Sequence, residues 1–278
     1  MEKMEGENEI KSLVKGVLSQ SSDSTMSLLS FIFIACLPIK IKDKEHTSHQ
    51  TSKRGLRSPL NYAIKVLLLA LVIKIYDYRQ YIHQNLILAL YCCHIYFAVD
   101  IVLAMSAAPA RVILGFEIEP QFDDPYLSTS LQDFWGRRWN LMVTSILRPT
   151  VYDPIRSICT LIVGKKWALL IGMVSTFIVS GLMHELIYYY ATRVAPTWEV
   201  TWFFFLHGVC TALEIVVKKA LADRWRLHPV ISTPLTIGFV GITGFWLFFP
   251  QIVRNEVDLR AIEEYSLIVK IMKRIVQL

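Results

Sequence analysis

The chain alternates between long apolar blocks and polar, cation-rich connections. Five blocks approach the ~20 residues a helix needs to cross the hydrocarbon core of a bilayer: 60–76, 86–108, 167–190, 200–217 and 231–253. Lys65 and Lys74 stand near the ends of the first, where long stems can snorkel to the headgroups. The second holds one interior acid, Asp100. The third runs from WALLIGMVSTFIVSGLMHEL into Tyr188, Tyr189 and Tyr190, a cluster typical of an interfacial belt. The fourth holds His207 and Glu214, and the fifth holds Pro234, Pro250 and the aromatic patch FWLFF. A shorter block, 27–41, carries Pro38 and reads as a half-span or interfacial piece. About 25 polar and mixed residues precede it and no A-x-A site follows, which is not the build of a cleavable signal peptide. The fold class predicted is all-α, a multi-pass transmembrane helical bundle. It divides into a polar segment (1–26), a membrane-embedded domain (27–253) and a basic tail (254–278).

Composition agrees with lipid as the solvent. Of the 278 residues 54% are hydrophobic, more than a water-facing surface requires, and the excess sits in the blocks. The formal charge of +6 does not point to nucleic acid, because the cations flank apolar blocks instead of forming one stripe. Lys and Arg crowd the stretches 40–59, 109–166 and 218–230, whereas the two connections between them hold only Arg79 and Arg193. The positive-inside rule puts the crowded side in the cytosol. The tail, with Arg254, Arg260, Lys270, Lys273 and Arg274, falls on the other side and is discordant. Either it is an amphipathic surface helix or the span count is off by one. Cys36, Cys92, Cys93, Cys159 and Cys210 lie mostly in apolar stretches and show no metal-ligand spacing. No internal repeat is visible, which argues against a transporter.

The connection 109–166 is too long to be a mere tether. Ser130, followed three residues later by Asp133, predicts a helix start with the serine as cap. Phe134, Trp135 and Trp139 then interleave with Arg137, Arg138 and Asn140. On a helix Trp135 and Trp139 share a face, as do Gly136 and Asn140. One reading is a helix lying on the membrane surface with its arginines toward anionic lipid. The other is a re-entrant element lining a cytosolic entrance, with Arg137 and Arg138 toward the phosphates of an anionic ligand. Spacing alone favours the first.

His184 and Glu185 sit near the far end of the third block, with Ser180 and Tyr188 one turn away on the histidine's face. Polar groups at that depth are costly against lipid and belong in a bundle interior or a wet cavity. Gly181 lets another backbone come close. His184 is open to several readings: a histidine hydrogen-bonded across helices, a general base, a metal ligand or a proton relay. No second histidine stands at metal-ligand spacing, which disfavours a metal. A neutral imidazole beside a hydroxyl substrate is the simplest chemistry. His94, Asp100, His207 and Glu214 read as hydrogen-bond glue between helices or as lining of the same cavity.

Two runs together, SLQDFWGRRWNL (Ser130 to Leu141) and SGLMHEL (Ser180 to Leu186), resemble the plant long-chain-alcohol O-fatty-acyltransferases, or wax synthases, a branch of the membrane-bound O-acyltransferase superfamily. The likeness extends from about Phe31 to Pro250, through EPQFDDPYL, LRPTVYDP and LHGVC. The resemblance implies transfer of a fatty acyl group from acyl-CoA to a long-chain alcohol, giving a wax ester at the endoplasmic reticulum. It implies His184 and Asn140 as catalytic residues and no cofactor beyond the acyl-CoA substrate. Asp133, Trp135, Arg137, Arg138 and Trp139 then belong to the acyl-CoA entrance. A sterol or diacylglycerol acceptor, and an inactive variant, are the alternatives. The opening MEGENEIKSLVKGVLSQ looks like a family amino terminus but passes directly into LLSFIFIACLPIKI, so the chain is expected to lack spans that relatives carry there. Asn140 lies in a connection and His184 far along a span. They meet only if the connection dips into the membrane or the span is tilted or broken.

Overall fold

The computed structural model describes residues 59–114, 121–221 and 227–276, and among them every regular element is helical. The polar segment 1–26 and the block 27–41 lie outside the described residues. By internal contact the chain separates into two units, one of residues 1–46 and 103–119, the other of 47–102 and 120–278. The first is represented by residues 103–114, the end of a helix in which the Ser106 hydroxyl donates to the Leu103 carbonyl. The second holds every residue of the candidate site.

Four described stretches are long and apolar enough to cross a membrane: Gln84–Ser106, Leu141–Thr192, Glu199–Ala220 and Pro229–Arg254. They match four of the five predicted blocks. The remaining block is helix α1 (Pro59–Ile75), 17 residues among those described. Helix α2 (Gln84–Leu114) follows after a 3-10 turn at Tyr76–Tyr81. Val72 of α1, Tyr76 of the turn and Tyr91 of α2 form a buried cluster with Phe249. Leu67, Leu161, Ile162, Val230 and Trp246 are 70% to 88% exposed, the outward apolar faces expected of helices that meet lipid.

Lys65 departs from the snorkelling expectation. Its ammonium pairs with Asp100 of α2 and donates to the Tyr96 hydroxyl at 3.2 Å, and the two charged side chains are only 13% and 4% exposed. Because α1 lies along α2, the cation faces a carboxylate rather than the headgroups. Lys74 stays outside, 70% exposed, and pairs with Asp77 at 2.6 Å.

The long predicted connection is largely structured. It contains α3 (Leu131–Asp133), α4 (Leu141–Leu147) and the start of α5 (Asp153–Thr192). Helix α5 is interrupted at Gly164, where φ 80° and ψ 163° are accessible to glycine at little cost. After a short turn the chain returns as α6 (Glu199–Ala220). A Cβ on Gly181 would lie 2.9 Å from the Thr201 Cα, so the two backbones touch where the sequence predicts close approach. Val200, Phe203, Phe204, His207, Gly208 and Thr211 form one buried stripe of α6 at helical spacing.

Helix α7 (Pro229–Thr243), a π-helical turn (Gly244–Phe248) and α8 (Pro250–Arg254) make up the last predicted block. The discordant tail folds as α9 (Val257–Val276), which brings the Tyr265 hydroxyl to 3.3 Å from His94 Nε2 and packs Ile262 on the first cluster. His94 also meets the Tyr76 hydroxyl at 3.3 Å, which is the inter-helix hydrogen bonding expected of it.

Breaking a buried ion pair costs about 3–5 kcal/mol, whereas an exposed pair is worth under about 1 kcal/mol. Lys65→Met is therefore expected to lower the melting temperature of the detergent-purified protein by many degrees and Lys74→Met to leave it nearly unchanged. Equal small shifts would return Lys65 to the snorkelling role.

Candidate active site

The segment 130–140 does not form the continuous helix that its spacing suggested. Ser130 caps as predicted, its hydroxyl accepting from the Asp133 N–H at 3.1 Å, but α3 gives way after one turn to a π-helical turn at Phe134–Arg138. Trp139 is extended, and Asn140 takes a left-handed backbone with φ 39° and ψ 66°. Trp135 and Trp139 still meet, with ring centroids 6.3 Å apart, whereas Gly136 and Asn140 share no helical face. A single left-handed residue tolerates asparagine better than most side chains. Asn140 also caps α4: its Oδ1 accepts from the Val143 N–H at 3.3 Å. The oxygen must face an N–H, which leaves both Nδ2 protons directed elsewhere.

The two arginines part company. Arg138 donates from Nε to Asp133 at 2.8 Å and from Nη1 to the carbonyls of Asp123 and Asp124 at 3.1 and 3.3 Å. It and Asp133 hold the segment in shape. Arg137 is exposed and has no hydrogen bond or ion pair among the described residues. Of the two arginines expected to face phosphates, Arg137 is the one whose guanidinium is exposed.

Helix α6 grips this segment from below. The Trp135 indole Nε1 donates to His207 Nδ1 at 3.0 Å, and the Leu131 N–H donates to the Glu214 carboxylate at 2.8 Å. Trp135 is wedged among Phe177, Phe203 and Phe204, with centroids 5.7 to 6.2 Å away. His207 is fully buried inside the span Glu199–Ala220, so the segment does dip between the helices. Packing between helices is what the re-entrant reading expects of this segment. His207 and Glu214 are glue, as expected, but what they hold is the connection.

His184 stands on α5 about 12 Å along the axis from that helix's end, a depth matching that of His207 from the start of α6. Its ring packs on Phe204 at 4.5 Å and on Phe248 at 5.8 Å. Nδ1 lies 2.8 Å from the Ser180 carbonyl oxygen. A carbonyl only accepts, so Nδ1 carries the proton and Nε2 keeps its lone pair. Glu185 does not hold this tautomer. One carboxylate oxygen accepts from the Thr201 N–H at 3.2 Å and from its hydroxyl at 3.3 Å, on another face of α5. Tyr188, one turn on, donates to the Phe248 carbonyl at 3.0 Å.

Asn140 and His184 are not hydrogen-bonded to each other. Ring contacts join their neighbourhoods, from His184 to Phe204 (4.5 Å), from Phe204 to Trp135 (5.9 Å) and from Trp135 to Trp139 (6.3 Å), the residue before Asn140. No group of three metal-ligating side chains comes together among the described residues.

Comparison with known proteins follows the same two elements. Residues 118–206, which contain the grip segment and His184, match the profile of the Membrane bound O-acyl transferase family. The chain is 48% identical to a protein of Simmondsia chinensis named Long-chain-alcohol O-fatty-acyltransferase, over 89% of this chain and 72% of the relative. The chain belongs to this family. Among other members of this acyltransferase family, it is 46% identical to the Acyl-CoA--sterol O-acyltransferase 1 of Arabidopsis thaliana, over 92% of this chain and 74% of the relative. It is 44% identical to the Probable long-chain-alcohol O-fatty-acyltransferase 8 of the same plant, over 89% and 71%.

Arg138→Ala removes three hydrogen bonds that shape the acyltransferase's grip segment, while Arg137→Ala removes none. Thermal melts are expected to show a drop of several degrees for the first and none for the second. Equal melting temperatures would mean that the segment holds its shape without Arg138.

Proposed function

We propose that the protein transfers a long-chain fatty acyl group from acyl-CoA to a long-chain alcohol, making a wax ester, with His184 as general base and Asn140 as oxyanion donor. The observation that carries this reading is a pair of spare groups of complementary kind. His184 Nε2 is an acceptor with its tautomer fixed by the Ser180 carbonyl, and Asn140 Nδ2 is a donor left over from a cap. The His184 nitrogen takes the hydroxyl proton as the alcohol oxygen attacks the thioester carbonyl carbon. The tetrahedral oxyanion accepts a hydrogen bond from Asn140 Nδ2. Collapse breaks the carbon–sulfur bond, and the departing thiolate takes the proton back from His184, leaving ester and free CoA thiol. Acyl-CoA approaches from the cytosolic side with its phosphates near Arg137, and the alcohol enters from the bilayer. The name of the Simmondsia relative supports the alcohol as acceptor, that of the Arabidopsis sterol acyltransferase makes sterol the competitor, and the lipid character of both substrates suits an endoplasmic reticulum membrane.

The test is an assay of the full chain in membranes with labelled acyl-CoA and a long-chain alcohol and a sterol in competition. Labelled wax ester is expected. His184→Ala should lower kcat by about 10²–10⁴-fold. Asn140→Asp keeps the capping oxygen and the left-handed backbone but loses the Nδ2 donor, so it should fold normally and lose about 10²–10³-fold in kcat. Ester with sterol alone would overturn the acceptor. Full activity in Asn140→Asp would reduce Asn140 to a helix cap.

A further inference from the structure

The hydrogen bonds around His207 run in one direction, and that direction assigns the residue a task. An indole N–H only donates, so His207 Nδ1 is the acceptor and the imidazole proton sits on Nε2. Nε2 lies 2.9 Å from the Thr243 hydroxyl oxygen, which accepts from it. The Thr243 hydroxyl donates in turn to the Phe239 carbonyl at 2.7 Å. The chain therefore starts on the grip segment, crosses α6 and ends on the backbone of α7. Each donor along it is used, and no bond remains for a substrate. His207 is neutral, fully buried and committed, so it does not compete with His184 as a base.

What it sets is the depth of Trp135. The indole is edge-on to the His207 ring at 5.3 Å and lies 5.9 Å from Phe204, and Phe204 is the ring on which His184 packs. On its other side the Trp135 carbonyl accepts from the Thr144 hydroxyl of α4 at 3.5 Å, and Asn140 caps α4. One residue thus touches the surroundings of both proposed catalytic groups, its indole meeting Phe204 and Trp139 and its carbonyl meeting α4. Glu214, two turns along α6 from His207, holds the Leu131 N–H and is itself paired with Lys218 at 2.6 Å, which fixes the other end of the segment.

We infer that His207 is a positioning residue that, through Trp135, sets the register of Asn140 against His184, with Glu214 as its second anchor. This rests on the acyltransfer reading above, since it is the register of that pair that matters. A misplacement of about 1 Å in such a pair can cost about 10²-fold in rate.

Two variants of His207 separate positioning from packing. His207→Asn keeps an acceptor near the place of Nδ1 and loses the Thr243 bond, whereas His207→Gln keeps a donor near Nε2 and loses the Trp135 bond. With full-length enzyme in detergent, and rates normalised to monodisperse folded protein, His207→Asn is expected to keep more than about a third of kcat. His207→Gln should lose about 10- to 100-fold, with KM for acyl-CoA little changed in both. Trp135→Phe should reproduce His207→Gln, and the double variant should be no worse than either single one. Equal losses in the two His207 variants, tracking their melting temperatures, would overturn the inference. If neither variant folds, Trp135→Phe decides alone, and wild-type kcat in the folded variant would overturn it. Wild-type enzyme that makes no ester with either acceptor would instead sink the acyltransfer reading. Unchanged His207 variants beside an active, His184-dependent wild type would sink only the positioning role.

Discussion

Between lipid-facing helices there is no water to satisfy a stray polar atom, so each one must find its partner inside the protein. That constraint organises the whole second unit. Lys65 is neutralised by Asp100, Trp135 is received by His207, His207 by Thr243, Glu185 by Thr201, and Leu131 by Glu214. Ser232 Oγ, one oxygen of Glu185 and Gln251 Nε2 are the exceptions, buried with no hydrogen-bond partner among the described residues. Against this background the free nitrogen of His184 stands out because the same ring's other nitrogen is so firmly engaged.

Much of the helical frame was legible because the cost of leaving water is written residue by residue. The block 200–217 became α6 to within a few positions, and 167–190 covers the part of α5 after the break at Gly164. The block 231–253 runs through α7 and the two short helical pieces after it, and Gly181 announced the close approach to Thr201. The Ser130 cap was legible too, since it depends on a local three-residue spacing. What was not legible depends on partners distant in the chain. Hydropathy records that Lys65 sits among apolar residues, not that Asp100 lies beside it 35 residues later. Spacing cannot announce a π-helical turn, so the faces assigned to Gly136 and Asn140 were those of a regular helix. His207 and Glu214 were seen as glue, but nothing local says that what they bind is a connection rather than another helix.

π-helical turns stand at Phe134–Arg138, Arg148–Tyr152 and Gly244–Phe248, and the first and third border the candidate site. Such turns shift the phase of the side chains that follow and are frequent at functional sites. The first ends just before Trp139 and Asn140, and the third contributes Phe248, whose ring meets His184. Regular helices would have carried those residues round to other faces. The site is assembled from interruptions in an otherwise repetitive fold.

The Ser180 carbonyl has a wider implication. Many histidines depend on a carboxylate neighbour to fix their tautomer, and a mutation there frees it. Here the orienting group is main chain, one helical turn upstream, and it is present whatever residue occupies position 180. The winding of its own helix thus settles which ring nitrogen of His184 carries the proton, whatever side chains flank the ring.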